Sequence, residues 1–201
     1  MLFAISGSQG SGKSTVIKTL RRKGFPIIER KTSRSILDEW GVTLSEVNND
    51  RELTVKFQDE ILDRKIADDL TASTDTSRIY FTERTLADFF TYALIAIGKD
   101  NEYNEWVNEY FQRCCDSQEM YSHNFYLTML PTDIEDDGVR GSNLHYARMV
   151  DVVMRDVTER MYEHSYDYET GKHSVPETTI INSRDNDARV NEILKTISRF
   201  I

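Results

Sequence analysis

Apolar residues along this chain fall into short continuous runs that alternate with longer runs of helical spacing. Each short run is bounded by glycine, proline or polar residues, which predicts a buried strand. The predicted strands cover residues 2–5, 25–29, 78–82, 124–130 and 178–182. The longer runs predict helices over residues 15–23, 31–40, 51–70, 84–97, 102–115, 144–164 and 189–200, with a loop or short helix over 42–49.

The alternation of strand and helix predicts an α/β fold with a five-stranded parallel sheet and helices on both of its faces. Right-handed crossovers give a doubly wound sheet, for which we predict the strand order 2-3-1-4-5. No internal repeat or linker divides the sequence, so a single domain is expected over residues 1–201. Ligands bind such sheets beyond the carboxyl ends of the strands, and candidate functional residues are therefore sought there.

The segment from Gly7 to Ser14 reads GSQGSGKS and fits the phosphate-binding pattern G-x-x-x-x-G-K-[ST], the P-loop. Its glycines let the backbone approach a phosphate, and its N–H groups together with the next helix attract anions. Lys13 is expected to reach the outer phosphates, and Ser14 to bind Mg²⁺. The residues expected to hold the nucleotide are Gly7, Ser8, Gly10, Ser11, Gly12, Lys13, Ser14 and Thr15. The flanking strand and helix disfavour the alternative, a glycine turn that binds nothing.

Two carboxylates end predicted strands beside the P-loop. Glu83 ends the third strand, directly before Arg84. A carboxylate there could hold Mg²⁺ while Arg84 contacts a phosphate or the acceptor, and the alternative is a helix cap with local pairing. Glu29 ends the second strand. It could accept the proton of an attacking hydroxyl group, or it could form only a surface ion pair.

A polar, glycine-containing segment over about residues 132–148 is interpreted as a lid. It holds Arg140 and extends to Arg148. These two arginines are eight residues apart, and they could share a face and close onto a triphosphate. The alternative is an exposed acidic turn, and the lid interpretation depends on the nucleotide that the P-loop implies.

Composition and charge narrow the class of protein. The chain is 39% apolar and 29% charged, which is typical of a soluble globular protein, and no apolar run has the length of a membrane span. The net charge of −9 argues against a general nucleic-acid coat protein. Up to Arg34, however, eight basic residues face one acid, so this segment carries +7 and the remainder −16. The basic segment leaves room for a local anionic ligand.

Cysteine usage and the start of the sequence bear on location. Cys114 and Cys115 are adjacent and suggest no disulfide framework. The first strand and the P-loop occupy the N-terminus, where no signal peptide fits. A cytoplasmic protein is expected, in the host cytoplasm if the source is viral.

Together these motifs resemble the small P-loop kinases of nucleosides and nucleotides. Glu83-Arg84-Thr85 is similar to the Glu-Arg-Ser motif of the deoxynucleoside kinases, whose second-strand acid is matched by Glu29. The sequence from Asp136 to Arg140 resembles the lid of the nicotinamide-riboside-kinase-like proteins. The chain also resembles the thymidylate-kinase-like group, which includes phage enzymes that phosphorylate 5-hydroxymethyluracil in DNA.

The resemblance implies that the helix over residues 51–70 faces the acceptor. Gln58 there could pair with a nucleobase edge, although a surface role is at least as well supported. Phe57 beside it and Arg34, at the end of the basic segment, complete the candidate substrate contacts.

The leading hypothesis is an ATP-dependent kinase that uses Mg²⁺ and acts on a hydroxyl group of a nucleoside-like acceptor. The sharpest version is a kinase of 5-hydroxymethyluracil in phage DNA, and the simpler version acts on a free nucleoside or nucleoside monophosphate. Glu29 would orient or deprotonate the acceptor, and Arg84, Arg140 and Arg148 would neutralise the transferring group. The alternative class is a nucleotide-dependent switch ATPase without a kinase acceptor. We expect no membrane association, and we also consider a homodimer.

Overall fold

The computed structural model describes residues 1–28, 33–130 and 143–201, and within them four parallel strands form the main sheet. Its strands are β1 (Leu2–Ser6), β2 (Tyr80–Glu83), β3 (His123–Leu127) and β6 (Thr178–Ile181), in the order β2-β1-β3-β6. A separate two-stranded hairpin, which the sequence pattern did not predict, pairs β4 (Tyr166–Asp167) with β5 (Lys172–His173). The parallel α/β fold predicted from the sequence is confirmed.

Helices connect the strands in the expected places. They are α1 (Lys13–Arg22), α2 (Ser33–Trp40), α3 (Leu44–Asn49), α4 (Arg51–Ser73), α5 (Leu86–Ile97), α6 (Asn104–Gln118), α7 (Leu144–His164) and α8 (Asn186–Ile197). A short 3₁₀ turn, Asn101–Tyr103, separates α5 from α6. The part of the predicted lid from residue 144 onward is the start of α7, and residues 131–142 lie outside the described part.

The predicted strand over residues 25–29 differs from the structure over its described residues, 25–28. Its described residues form only an isolated bridge between Ile27 and Phe81. The Phe81 N–H donates to the Pro26 carbonyl at 3.0 Å, and the Ile28 N–H donates to the Phe81 carbonyl at 2.8 Å. Proline has no N–H and cannot extend a ladder on that side. The bridge nevertheless lies beside β2, where the predicted order 2-3-1-4-5 puts the second strand.

The two faces of the sheet are covered by different helices. Phe3 and Ile5 of β1 lie in one core cluster with apolar residues of α1 and α8. The alternating residues Leu2 and Ala4 lie in another, with residues of α4, α5, α6 and α7. β1 is buried along its whole length, as expected for a central parallel strand with helices on both faces.

A smaller cluster joins α2 and α3 to the first half of α4. Phe57 packs there with Ile36 and Val47, and its ring meets the Trp40 ring edge-on at 6.0 Å. Among the described helices, none is long and apolar enough to cross a membrane.

Candidate functional site

The P-loop connects β1 to α1 at the carboxyl end of the sheet. Two of its glycines are required by close approach as well as by backbone angle. A Cβ on Gly7, whose φ is +141°, would lie 2.5 Å from the Leu127 carbonyl oxygen. A Cβ on Gly12, whose φ is +80°, would lie 3.1 Å from Nη1 of Arg189. A side chain at either position would contact these neighbouring atoms too closely, and it would also strain the backbone, because a positive φ favours glycine.

Lys13 is the first residue of α1 and is only 9% exposed. Its Nζ donates to the Gly7 carbonyl at 2.5 Å and to the Ser8 carbonyl at 2.9 Å. Lys13 thus lies across the P-loop, where it is predicted to bind the outer phosphates of a nucleotide. Ser14 and Thr15 follow it in the first turn of α1 with exposed side chains, so the Ser14 hydroxyl is accessible at the positive end of this helix.

Two buried carboxylates hold the start of the P-loop. The Ser6 hydroxyl donates to Oδ2 of Asp88 in α5 at 2.5 Å, and the Ser8 hydroxyl donates to Oδ1 of Asp151 in α7 at 3.0 Å. Asp151 also accepts a bond of 2.8 Å from the Tyr126 hydroxyl. Burial, followed by the nearby Asp151 charge, raises the pKa of Tyr126 well above its usual range. These bonds attach the loop to the two helices on one face of the sheet.

Arg189 of α8 holds the P-loop from the other side. Its guanidinium is 2% exposed and donates to three main-chain carbonyl groups, those of Ser11, Thr128 at 2.8 Å and Ser183 at 2.5 Å. Burial lowers the pKa of this group, but an arginine side chain remains charged. The side chain therefore ties the loop to the ends of β3 and β6 and adds positive charge behind it.

The Glu83–Arg84 pair lies at the end of β2, next to the P-loop strand. Glu83 is paired in register with Ile5, and the Arg84 N–H donates to the Ile5 carbonyl at 2.8 Å. Arg84 has a φ of +72°, the one positive φ among the described non-glycine residues. Its guanidinium lies over the Tyr92 ring, 5.2 Å from the centroid. A left-handed arginine is uncommon, and such strain often accompanies function.

Arg148 lies on α7, three residues before Asp151. Residues three apart on a helix share a face, so Arg148 lies one turn from the carboxylate that binds the P-loop. Its side chain is exposed. Glu29 and Arg140 lie outside the described residues, and their predicted roles stay predictions.

The candidate substrate contacts occupy different environments. Phe57 is a buried core residue rather than a surface contact, while Arg34 is exposed on α2. Gln58 is half-buried on α4 and shares a helical stripe with Leu62 and Lys65. Lys65 bonds to β2, and α4 runs antiparallel to that strand, so Gln58 lies beyond the carboxyl end of the sheet. The roles of Arg34, Phe57 and Gln58 as substrate contacts stay predictions.

Ligands for a metal ion are sparse in the site. Within residues 1–28, 33–130 and 143–201, no three His, Cys, Asp or Glu side chains gather closely enough to hold an ion. Ser14 and Glu83 are the predicted pair, an accessible hydroxyl in the first turn of α1 and a carboxylate at the end of β2. A nucleotide-bound Mg²⁺ needs few protein ligands, because it keeps waters and phosphate oxygens. The residues present fit that requirement.

Sequence reasoning missed Asp88, Asp151, Lys65 and Arg189. One of them carried a readable signal, since Thr85 and Asp88 have the spacing of a capping box, and the Thr85 N–H does donate to Asp88 at 2.9 Å. The others depend on contacts between residues far apart in the sequence.

A sequence profile for the family described as AAA domain matches residues 2–177. The chain belongs to this family. Its AAA domain includes β1, the P-loop, the Glu83–Arg84 pair and α7. Among curated proteins, no match to this AAA-domain chain is found.

Solved structures resemble the AAA domain over nearly its whole length. Deoxyadenosine kinase from M. mycoides with bound dATP matches with a TM-score of 0.63 and 16% identity, over 98% of this chain and 100% of that chain. Its form with the products dCMP and a flexible dCDP matches at 0.60 and 16%, over 99% and 100%. Its form with bound dCTP matches at 0.58 and 17%, over 99% and 100%. At such identities the likeness establishes the fold, and it confirms the P-loop kinase architecture predicted from the sequence.

Proposed function

We propose that this AAA-domain protein is an ATP-dependent kinase that transfers the γ-phosphate to a hydroxyl group of a nucleoside-type acceptor. The observation that carries the proposal is the Glu83–Arg84 turn. It puts a carboxylate and a guanidinium at the strand end next to the P-loop, and it does so at a left-handed φ of +72°. Such backbone strain often accompanies function, and phosphoryl transfer needs metal ligation and positive charge beside the phosphates.

The donor half follows from the P-loop. The loop N–H groups and Lys13 would hold the β- and γ-phosphates, and Lys13 would exchange its bonds to the Gly7 and Ser8 carbonyls for phosphate oxygens. Ser14 and Glu83 would hold Mg²⁺, which supplies charge neutralisation to the phosphates when bound. Arg148, which is exposed on α7, would contact the triphosphate together with Arg140.

The acceptor half lies between β2 and the first half of α4. Arg84 would contact the acceptor or the transferring phosphoryl group, since its guanidinium offers paired donors. Gln58 would face the acceptor from beyond the carboxyl end of the sheet. Glu29 would orient or deprotonate the hydroxyl group, and Arg34 would attract an anionic acceptor. Phe57 would act by supporting Gln58 from the core.

We favour a free deoxynucleoside or its monophosphate as the acceptor. The structural neighbours are described with bound dATP, dCTP and dCMP, which supports a deoxynucleotide-sized site. The hydroxymethyl group of 5-hydroxymethyluracil in DNA is the second acceptor to test, because the segment up to Arg34 carries a charge of +7. We also expect a cytoplasmic location and a homodimer. Sedimentation measures the number of chains in the particle and so tests the dimer.

The test is an acceptor panel with ATP labelled on the γ-phosphate and Mg²⁺ present. The panel contains the four deoxynucleosides, their monophosphates and duplex DNA with 5-hydroxymethyluracil, and Lys13→Ala is the inactive control. Label transferred to one free acceptor, and lost in the control, supports the proposal. Hydrolysis of ATP that no acceptor stimulates would instead indicate a switch ATPase. Label found only in the DNA would show that the acceptor is 5-hydroxymethyluracil in DNA and not a free nucleoside or nucleotide.

A further inference from the structure

Lys65 and Asp69 form an ion pair inside the protein. Their side chains are 0% exposed, and Nζ lies 2.6 Å from Oδ2 of Asp69. The residues are four apart on α4, on the side of the helix that faces β2. Removing two charges from water costs about as much free energy as their attraction supplies. The burial of this pair is therefore not explained by a contribution to stability.

The pair reaches the strand that carries the candidate site. Nζ of Lys65 donates to the Thr82 hydroxyl at 2.7 Å and to the main-chain carbonyl of Glu83 at 3.1 Å. Asp69 accepts from the Thr82 hydroxyl at 2.9 Å and from the Tyr121 hydroxyl at 2.8 Å. The lysine thus ends at the residue where β2 stops and the Glu83–Arg84 turn begins.

The Glu83–Arg84 peptide is held at both of its polar atoms. Its carbonyl accepts from Lys65, and its N–H donates to the Ile5 carbonyl at 2.8 Å. The next peptide is also held, because the Thr85 N–H donates to Asp88 at 2.9 Å. Turning the first peptide over, by about half a rotation, would return Arg84 to a negative φ and relieve its strain. That rotation would break the bonds to Lys65 and Ile5.

We propose that Lys65 is a positioning residue that keeps this peptide in its strained orientation. Its ammonium group favours the carbonyl orientation that leaves Arg84 at a φ of +72°. In that orientation the Arg84 guanidinium lies over the Tyr92 ring. Asp69 balances the buried charge. The inference rests on the proposed function for its catalytic consequence, but the orientation of the peptide is a property of the folded chain alone.

The decisive variant is Lys65→Met together with Asp69→Asn. It removes both charges and keeps both shapes, which avoids the unpaired buried charge that either single substitution leaves. Tyr121→Phe is the matched control, because it removes one bond to Asp69 and leaves the contact between Lys65 and Glu83. Amide hydrogen exchange by NMR reads the Arg84 N–H directly and requires no activity.

We expect the Arg84 amide to exchange at least about tenfold faster in the double variant, while the amides of β1 keep their protection. Tyr121→Phe should leave the Arg84 amide unchanged. With an active acceptor, kcat should fall about tenfold or more, and the KM for ATP should stay within about twofold. In an Arg84→Ala background the same double variant should lower kcat by less than about threefold, because the displaced group is already absent.

Unchanged Arg84 exchange in a folded double variant would overturn the inference, whatever the activity. An unchanged kcat in the double variant would overturn the proposed effect on catalysis. A loss of kcat that is equally large in the Arg84→Ala background would overturn it too. If the wild type transfers phosphate to no acceptor, the proposed function fails, and the exchange experiment still decides the role of Lys65.

Discussion

Ser8 of the P-loop and Asp151 of α7 are joined by a hydrogen bond of 3.0 Å, although 143 residues separate them in the sequence. The bond is buried, and it links the phosphate-binding loop to the helix that carries Arg148. Asp151 also accepts from Tyr126 and pairs with Arg155 at 2.8 Å. One carboxylate therefore connects the loop, the sheet and Arg155 of α7.

Asp151→Ala should lower both stability and nucleotide affinity. It removes the carboxylate acceptor of the buried Ser8 and Tyr126 hydroxyl groups and leaves them only longer bonds, of 3.4 Å to the Gln9 carbonyl and 3.3 Å to the Asp151 main-chain carbonyl. The loss should cost about 1–2 kcal/mol of unfolding free energy. Urea denaturation and titration with ATP measure the two effects. Asp156→Ala is the control on the same helix. That carboxylate is 64% exposed and 3.9 Å from Arg160, so its loss should change stability by less than about 0.5 kcal/mol. Equal effects of the two variants would contradict this assignment.

Arg189→Lys should weaken nucleotide binding more than its retained charge suggests. Arg189 reaches the carbonyls of Ser11, Thr128 and Ser183 from three different nitrogens of a planar guanidinium, whereas a lysine has all three of its donors on one nitrogen and does not reproduce that geometry. We expect about tenfold weaker binding of ATP, measured by calorimetry, and a lower melting temperature. Arg184→Ala, at an exposed residue of the same connection, should leave both unchanged. Wild-type affinity in Arg189→Lys would show that the loop needs no such tie.

Gln58→Ala should change acceptor use and leave the donor site intact. Its side chain lies on α4 beyond the carboxyl end of the sheet, so its loss should raise the KM for the acceptor by about 5–20-fold, as expected for one or two hydrogen bonds. The KM for ATP should not move. Gln112→Ala, at an exposed glutamine of α6, is the matched control. Steady-state kinetics with the best acceptor of the panel decide the matter, and an unchanged acceptor KM would exclude Gln58 from the site.

His123 should make the protein less stable in mild acid. Burial lowers the pKa of this histidine from its ordinary 6.5, with the Arg199 charge adding to the shift and Glu177 opposing it. The folded state therefore favours the neutral ring, so the stabilisation is present above pH 6.5 and is lost as the pH falls through the lower folded-state pKa. Melting temperatures between pH 7.5 and pH 5 measure this.

The matched variants for that measurement are His123→Gln and His145→Gln. The first keeps a polar partner for the Thr179 hydroxyl, which lies 2.8 Å from the His123 ring, and should show a smaller loss in acid than the wild type. The second changes an exposed histidine of α7 and should follow the wild-type curve. Identical slopes in all three proteins would contradict the prediction.

The sequence predicted those parts of the molecule that local pattern determines. Alternating strand and helix patterns predicted the parallel sheet and the order of its strands, and the P-loop lies where the motif predicted it, between β1 and α1. The bounds of α7 agree with the prediction to the residue. In the structure its start is fixed by Asn143, whose side-chain oxygen accepts from the Tyr146 N–H at 3.1 Å. Over residues 25–28 the second predicted strand forms only a bridge, because Pro26 has no N–H with which to extend the ladder. A pattern of apolar residues does not include that missing donor.

The polar supports of the site could not be predicted in this way. Arg189 bonds to Ser11 across 178 residues, and Lys65 looks in the sequence like one half of an ordinary surface pair with Asp69. Their burial is decided by which helix face meets the sheet, and a single sequence does not fix that. The left-handed Arg84 is likewise imposed by bonds to three separate elements, because arginine has no preference of its own for that angle.

The attachment of the P-loop to α5, α7 and α8 has a consequence for how relatives of this protein can diverge. The groups that hold the P-loop lie on those three helices, whereas the acceptor candidates Arg34 and Gln58 lie on α2 and α4. If the proposed function holds, substitutions in α2 and in the first half of α4 should alter which molecule is phosphorylated without disturbing the P-loop. Directed evolution toward new acceptors should begin in those two helices.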